Sequence, residues 1–177
     1  MLQFYLVFVG ITLFVNGLHI CSGCQVDVAK RSGAKDVAVV NLFTGLTGII
    51  LITLMAARTA RTGESLAPAA YMGLFVLTYV WLGINAFTGA DGKAFGWFSL
   101  LVPFVGIPVA LQTFAAATSV FDYWMGMSWL AWSLLWFMFF LWLSRGVAIA
   151  RPTGVMTAAQ GVLTALLPAV LNFWRII

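Results

Sequence analysis

The sequence predicts an all-α integral membrane protein with six transmembrane helices, and two observations lead to this fold class. Charged residues make up 8% of the 177-residue chain and hydrophobic residues 63%, with a mean hydropathy of +1.04. An ordinary soluble domain has about a quarter of its residues charged. In addition, the charged residues leave six uncharged intervals, each longer than the roughly 18 residues at which a membrane-spanning helix becomes the expected structure.

Each uncharged interval defines one predicted helix, and the ends follow from the flanking charges and turn residues. The predicted helices lie near 2–18, 37–57, 67–87, 95–116, 124–143 and 156–174. They occupy most of the chain, so residues 1–177 form a single transmembrane domain with no separate soluble catalytic part. The segment Ile107–Leu111 resembles Leu167–Leu171 sixty residues later, which suggests one helical hairpin repeated three times.

The distribution of basic residues predicts the orientation in the membrane. Lys30, Arg31, Lys35, Lys93, Arg145 and Arg151 follow helices 1, 3 and 5, whereas Arg58, Arg61 and Arg175 lie on the other side. The positive-inside rule therefore places both termini outside the cytoplasm. The chain has no basic run of the kind that binds nucleic acid, and its two cysteines are too few for a disulfide scaffold.

The cores of the predicted helices contain no Asp, Glu, Lys, Arg or His. Carriers driven by protons or sodium need a titrating or ion-binding group within the membrane, so this function class is disfavoured. The polar groups that remain are mainly amides: Asn16, Asn41, Asn85, Gln112, Gln160 and Asn172. They fit two interpretations, hydrogen bonds between helices or a row of partners for a neutral polar solute.

Tryptophan is concentrated in the fifth predicted helix, where Trp129, Trp132 and Trp136 share one face. Two further stripes run along other helices: Leu77, Trp81 and Asn85 in the third, and Leu2, Leu6, Val9, Leu13 and Asn16 in the first. Such stripes are either packing surfaces or the wall of a solute slot. A planar neutral amide can lie against indole faces while polar groups compensate its dipole, and the same slot leaves an ion's dehydration uncompensated.

A different function class is suggested by His19, Cys21 and Cys24, which read H-x-C-x-x-C after the first helix. Soft metals bind such ligands, so the alternative reading is a membrane metal or redox protein. The chain has no other His or Cys to complete the ligand set. We therefore expect no metal, no cofactor and, in the absence of a nucleophile–base pair, no enzymatic activity.

Short motifs along nearly the whole chain resemble the AmiS/UreI family of urea and amide channels. They are Met1-Leu2, Leu6, Val9-Gly10-Ile11, Leu13, Asn16-Gly17, Val26-Asp27, Ala38-Val39, Asn41, Ile84-Asn85, Trp97-Phe98-Ser99-Leu100, Ile107-Pro108, Trp129-Leu130-Ala131-Trp132, Leu135-Trp136, Gly161-Val162-Leu163-Thr164-Ala165 and Pro168-Ala169. The Trp129–Trp132 segment followed by Leu135-Trp136 is the most specific of these.

The resemblance implies a pore within each protomer, a homohexamer in the bacterial inner membrane, and both termini outside. It places apolar pore constrictions at Leu2, Leu6, Val9 and Leu13, and aromatic constrictions at Trp129, Trp132, Leu135 and Trp136. Trp81 stands where acid-gated urea channels have Tyr. The candidate pore set is completed by Leu77, Met125, Asn16, Asn85 and Gln160.

Departures from the acid-gated branch favour the amide branch. Leu77 and Met125 replace aromatic residues of that branch, and Gln160 replaces a pore Glu. Acid gating there relies on a His-rich periplasmic loop, whereas the corresponding loop here, about 58–66, is short and has no His. The expected function is thus a passive channel, not gated by acid, for urea and short amides such as acetamide and formamide. Such a channel would supply a cytoplasmic amidase or urease.

Overall fold

The computed structural model describes residues 2–23 and 33–177, and this part of the chain contains six helices long and apolar enough to span a membrane. They are α1 (Leu2–Gly23), α2 (Ala34–Thr62), α3 (Ala67–Thr88), α4 (Lys93–Ala115), α5 (Val120–Ser144) and α6 (Ala150–Phe173). The predicted fold class is therefore confirmed.

Four helices extend beyond their uncharged intervals: α4 begins at Lys93, α5 includes Asp122, and α2 and α6 differ most from the prediction. α2 continues through Arg58 and Arg61, and α6 begins at Ala150, just before Arg151. The prediction kept each helix within its uncharged interval, but a helix can continue for a turn or more into the polar headgroup region, where charged side chains are solvated.

Local sequence explains where several helices begin and end. α2 and α3 end at Gly63 and Gly89, both with φ of 70°, a left-handed conformation that glycine adopts without strain. Pro68 lies in the first turn of α3, where its missing N–H costs nothing. Ser119 and Asp122 form a capping box that starts α5.

The helices form a closed ring around the axis of the protomer. Each helix packs against the next one along the chain, and α6 returns to pack against α1; the closest pairs are α1–α6, α2–α3 and α4–α5. The α1–α6 contact depends on glycine, since a Cβ on Gly10 would lie 2.7 Å from the carbonyl oxygen of Gly161. The threefold hairpin repeat stays a prediction.

The regular α-helix is interrupted at Gly161–Leu166 in α6, which form a wider π-helical turn, and at Phe140–Ser144 at the end of α5. Pro168 follows the first of these turns and has no N–H to donate to the carbonyl of Thr164. A widened turn accommodates this missing bond. The carbonyl and hydroxyl groups of this segment become available to side chains of α5, as described below.

Candidate solute pathway

Three cavities lie in series inside the ring of helices. The first cavity has a volume of about 370 Å³ and is lined by residues that include Leu2, Leu6, Val9, Phe75, Gln112, Met125, Trp129 and Trp132. The central slot has about 20 Å³ and is lined by Leu13, Asn16, Phe75, Thr78, Tyr79, Leu82, Trp132, Leu135, Trp136, Phe139 and Thr157. The second cavity has about 300 Å³ and includes Asn16, His19, Asn41, Leu82, Asn85, Asp91, Phe139 and Trp142.

Shared residues show that these spaces follow one another. Phe75 and Trp132 line both the first cavity and the slot. Asn16, Leu82 and Phe139 line both the slot and the second cavity. The slot has room for about one water molecule and is the narrowest part of this path.

Phe75 on α3 closes the slot against the indoles of α5. Its ring centroid lies 4.9 Å from that of Trp132, 4.9 Å from that of Trp136 and 5.7 Å from that of Trp129, each in an edge-to-face arrangement. Such contacts have a preferred geometry and hold the four rings in place. Phe75 therefore separates the first cavity from the rest of the path.

The indole N–H groups of the slot are already hydrogen-bonded to protein. Trp132 Nε1 donates to Thr164 Oγ1 at 2.7 Å, and Trp136 Nε1 donates to Thr78 Oγ1 at 3.3 Å. The Thr164 hydroxyl in turn donates to the carbonyl oxygen of Gln160 at 2.6 Å, within the region of the π-helical turn. The rings consequently offer their faces and edges, rather than their N–H groups, to a solute.

Charge is confined to one end of the path. Among the described residues that line the first cavity and the slot there is no Asp, Glu, Lys, Arg or His. His19 and Asp91 both line the second cavity. A solute crossing the slot thus meets aromatic rings, threonine hydroxyls and an amide, but no full charge.

Comparison with known proteins identifies the family. The sequence model of the AmiS/UreI family of transporters matches residues 1–176. This chain belongs to the AmiS/UreI family. The resemblance inferred from the sequence motifs is thereby confirmed.

The relatives of this chain include an amidate transporter and a urea channel. One is a protein of Mycolicibacterium smegmatis described as an amidate substrates transporter, 33% identical over 167 residues that cover 94% of this chain and 73% of the relative. Another is the acid-activated urea channel of Helicobacter pylori, 29% identical over an alignment covering 98% of this chain and 97% of the relative.

Solved structures of the AmiS/UreI family have the same fold. The crystal structure of the Helicobacter pylori urea channel matches with a TM-score of 0.84 at 29% identity, over 99% of each chain. The cryoEM structure of that channel in a closed state matches with a TM-score of 0.83 at 28% identity, over the full length of both chains.

Most residues predicted for an AmiS/UreI pore lie on the path. Leu2, Leu6, Val9, Met125 and Trp129 line the first cavity, Trp132 lines the first cavity and the slot, and Leu13, Leu135 and Trp136 line the slot. Asn16 lies at the far end of the slot, and Asn85 lines the second cavity.

Three predicted residues lie elsewhere. Leu77 is 45% exposed and is not among the residues that line the three cavities. Trp81 packs against Phe95 and Phe98 with centroid distances of 5.9 Å to each ring. Gln160 is buried between helices, where its Nε2 donates to the carbonyl oxygen of Ala131 at 2.9 Å.

The positions of Leu77 and Trp81 on α3 have a geometric cause. A stripe with spacing i, i+4, i+8 turns about 40° around a helix axis at each step, because four residues exceed the 3.6 of one turn. The residues that face the path are instead Tyr71, Phe75, Thr78, Leu82 and Asn85, which alternate steps of four and three. That spacing is visible in the sequence and could have identified Phe75, Thr78 and Leu82.

The proposed metal ligands fall partly outside the described residues, because Cys24 is not among them. Within residues 2–23 and 33–177, no group of three or more His, Cys, Asp or Glu side chains is arranged to hold a metal ion. The Sγ of Cys21 lies 3.9 Å from the carbonyl oxygen of Arg151. The metal or redox reading stays a prediction.

Proposed function

We propose that this protein is a passive channel for urea and short aliphatic amides such as formamide and acetamide. The observation that carries the proposal is the uncharged aromatic slot that lies between two wider cavities. The names of the relatives support this choice, since one is an amidate substrates transporter and another a urea channel.

The chemistry of the slot suits a planar neutral solute. Ring faces of Phe75, Trp132 and Trp136 can pack against the flat amide group, and Asn16 and the threonine oxygens can bond its polar atoms. An ion would lose its hydration shell there without gaining a compensating charge. Because the slot holds about one water, passage of a larger solute requires an aromatic side chain to turn.

We further propose that external acid does not gate the channel. The chain has one histidine, His19, and it lines the second cavity rather than the first cavity or the slot. Only residues 63–66 separate α2 from α3, and beside them Arg58 and Glu64 form an exposed ion pair at 3.0 Å. Titration on the first-cavity side therefore has no histidine cluster through which to act.

The remaining features of the proposal concern location and assembly. Lysines and arginines concentrate in the stretches of sequence that follow α1, α3 and α5 and at the starts of the next helices. This supports a place in the bacterial inner membrane with both termini outside the cytoplasm. By analogy with the family we propose a homohexamer with a pore in each protomer. The urea or amide taken up would be the substrate of a cytoplasmic urease or amidase. We propose no catalytic role for the channel itself.

A stopped-flow permeability panel on proteoliposomes tests the proposal. Urea, formamide and acetamide should equilibrate faster than in protein-free vesicles, a monovalent ion should not, and the rates should change little between about pH 5 and 7.5. A Cys21→Ser/Cys24→Ser double variant should retain full transport and should contain no less metal than the wild type.

Two results would contradict the proposal. Urea and amide fluxes equal to those of protein-free vesicles would contradict the proposed channel function. Strong activation of the flux by acid would contradict the proposal that acid does not gate the channel. Trp136→Ala tests whether the solute passes through the slot. Because this indole lines the slot, the variant should alter the flux or the selectivity.

A further inference from the structure

Asn16 of α1 and Asn41 of α2 form a closed ring of two amide hydrogen bonds. Asn16 Nδ2 donates to Asn41 Oδ1 at 3.0 Å, and Asn41 Nδ2 donates to Asn16 Oδ1 at 2.6 Å. Both side chains are buried, with 7% and 2% exposed. In the sequence, Asn41 is one of the amide residues of the predicted helices and part of the family resemblance, but it is not in the candidate pore set, and the proposed function gives it no role in transport.

A backbone carbonyl fixes the orientation of this pair. Asn41 Nδ2 also donates to the carbonyl oxygen of Val37 at 2.9 Å. Because a carbonyl only accepts, the nitrogen of Asn41 must face Val37, and its oxygen must then face the nitrogen of Asn16. One N–H of Asn16 is left without a hydrogen-bond partner among the described residues.

The free N–H lies on a residue that lines both the slot and the second cavity. Two threonines line the same slot, and their hydroxyl hydrogens are already used: Thr157 donates to Thr153 O at 2.7 Å, and Thr78 donates to Leu74 O at 2.8 Å. These two oxygens can therefore only accept, and that of Thr78, which already accepts the Trp136 N–H, keeps one lone pair for a further bond. Besides the buried hydroxyl of Tyr79, the polar side chains that line the slot are therefore one amide donor and two hydroxyl acceptors.

We propose that this end of the slot is a binding site for an amide group, with Asn41 as the positioning residue that keeps it specific. The Asn16 N–H bonds the carbonyl oxygen of the solute, and the oxygens of Thr157 and Thr78 bond its N–H groups. This inference rests on the proposed channel function and adds the atoms that select the solute.

The role of Asn41 follows from the freedom of a terminal amide. The last torsion of an Asn side chain is soft and roughly two-fold, so an unconstrained Asn16 presents either its nitrogen or its oxygen to the path. An inward-facing oxygen repels a solute carbonyl. By bonding both ends of the Asn16 amide, Asn41 keeps a donor directed at the solute and makes the site favour good carbonyl acceptors.

Urea and thiourea separate this effect from a general loss of transport, because they share their N–H groups and differ in the strength of the acceptor. Their permeability ratio is measured in proteoliposomes at about pH 5 for the wild type, Asn41→Leu and Asn41→Asp. A neutral carboxyl has a single O–H, which can donate to Asn16 Oδ1 while the other carboxyl oxygen accepts from Asn16 Nδ2, so Asn41→Asp keeps both bonds to Asn16 and loses only the bond to Val37 O. The control is Thr44→Val, which breaks the Thr12–Thr44 hydroxyl bond of 2.7 Å on the same α1–α2 contact.

We expect Asn41→Leu to lower the urea-to-thiourea ratio about threefold to tenfold, the effect of one lost hydrogen bond. Asn41→Asp should restore much of the wild-type ratio, and Thr44→Val should leave it unchanged. If Asn41→Leu does not assemble, Asn41→Ser removes the same bonds with less bulk and must lower the ratio similarly.

The outcomes distinguish this inference from the function on which it rests. A wild-type channel that conducts urea, together with unchanged ratios in Asn41→Leu or Asn41→Ser, overturns the role of Asn41 and leaves the channel function intact. A ratio lowered equally by Thr44→Val would assign the effect to α1–α2 packing and would also overturn it. Absence of urea flux in the wild type overturns both.

Discussion

The hydroxyl of Thr164 should hold in place the indole of Trp132, which lines both the first cavity and the slot. Its hydroxyl oxygen accepts the Trp132 N–H at 2.7 Å, and Trp132 is 2% exposed. Thr164→Val keeps the shape of the side chain but removes the acceptor. The buried N–H then lacks a partner, at a cost of about 1–3 kcal/mol.

That cost favours rotation of Trp132 towards another acceptor, and the path is where water and solute can provide one. If the turned position is preferred by about 1.4 kcal/mol, only about one channel in ten keeps the original ring position at any moment. We therefore expect the urea flux per channel to fall about tenfold in Thr164→Val. Thr164→Ser, which retains the hydroxyl, should conduct nearly as the wild type does.

Stopped-flow light scattering on vesicles with matched protein content measures the flux, and the vibrational band of the indole N–H reports the lost bond. Thr153→Val is the matched control, since Thr153 is also buried on α6 and bonds only its own helix, donating to Ile149 O at 2.7 Å. Wild-type flux and an unchanged indole band in Thr164→Val would refute the argument that this hydroxyl holds Trp132.

Two further variants test the slot and its surroundings. Phe75→Ala should raise the permeability of a larger amide such as propionamide relative to urea several-fold, because the ring that closes the slot against three indoles is removed; an unchanged ratio, measured in the same vesicles, would place the barrier elsewhere. Tyr5→Phe should leave thermal stability equal or higher by about 1 kcal/mol, since the Tyr5 hydroxyl is buried without a hydrogen-bond partner among the described residues; a clear loss in melting temperature would show that the hydroxyl is bonded.

The helices were predictable because charge is expensive in a membrane. Uncharged intervals located all six helices of the described chain, and the misplaced ends of α2 and α6 arose because charged residues such as Arg58 and Arg61 can remain helical in the headgroup region. The indole stripe at Trp129, Trp132 and Trp136 was also predictable, since bulky aromatic residues at helical spacing are unusual enough to be noticed.

The direction in which each helix faces was harder to predict. Leu77 and Trp81 were expected on the path, yet the first is exposed and the second packs against α4, while Phe75 forms the constriction. In a soluble helix the polar face marks the outside. In a membrane helix, lipid is as apolar as the protein interior, so side-chain polarity does not distinguish outward from inward.

The contacts of the polar side chains could not be predicted from the sequence either. The sequence showed that Asn16, Asn41 and Gln160 lie within membrane helices, but only the tertiary structure placed Asn16 against Asn41 on the path and Gln160 between α5 and α6. An amide bonds whichever partner the neighbouring helix brings within reach, and that depends on the rotation and depth of two helices. The sequence alone determined a six-helix membrane protein rich in tryptophan, with no charged residue in the cores of its helices. The packing of its helices decided which of those side chains face a solute.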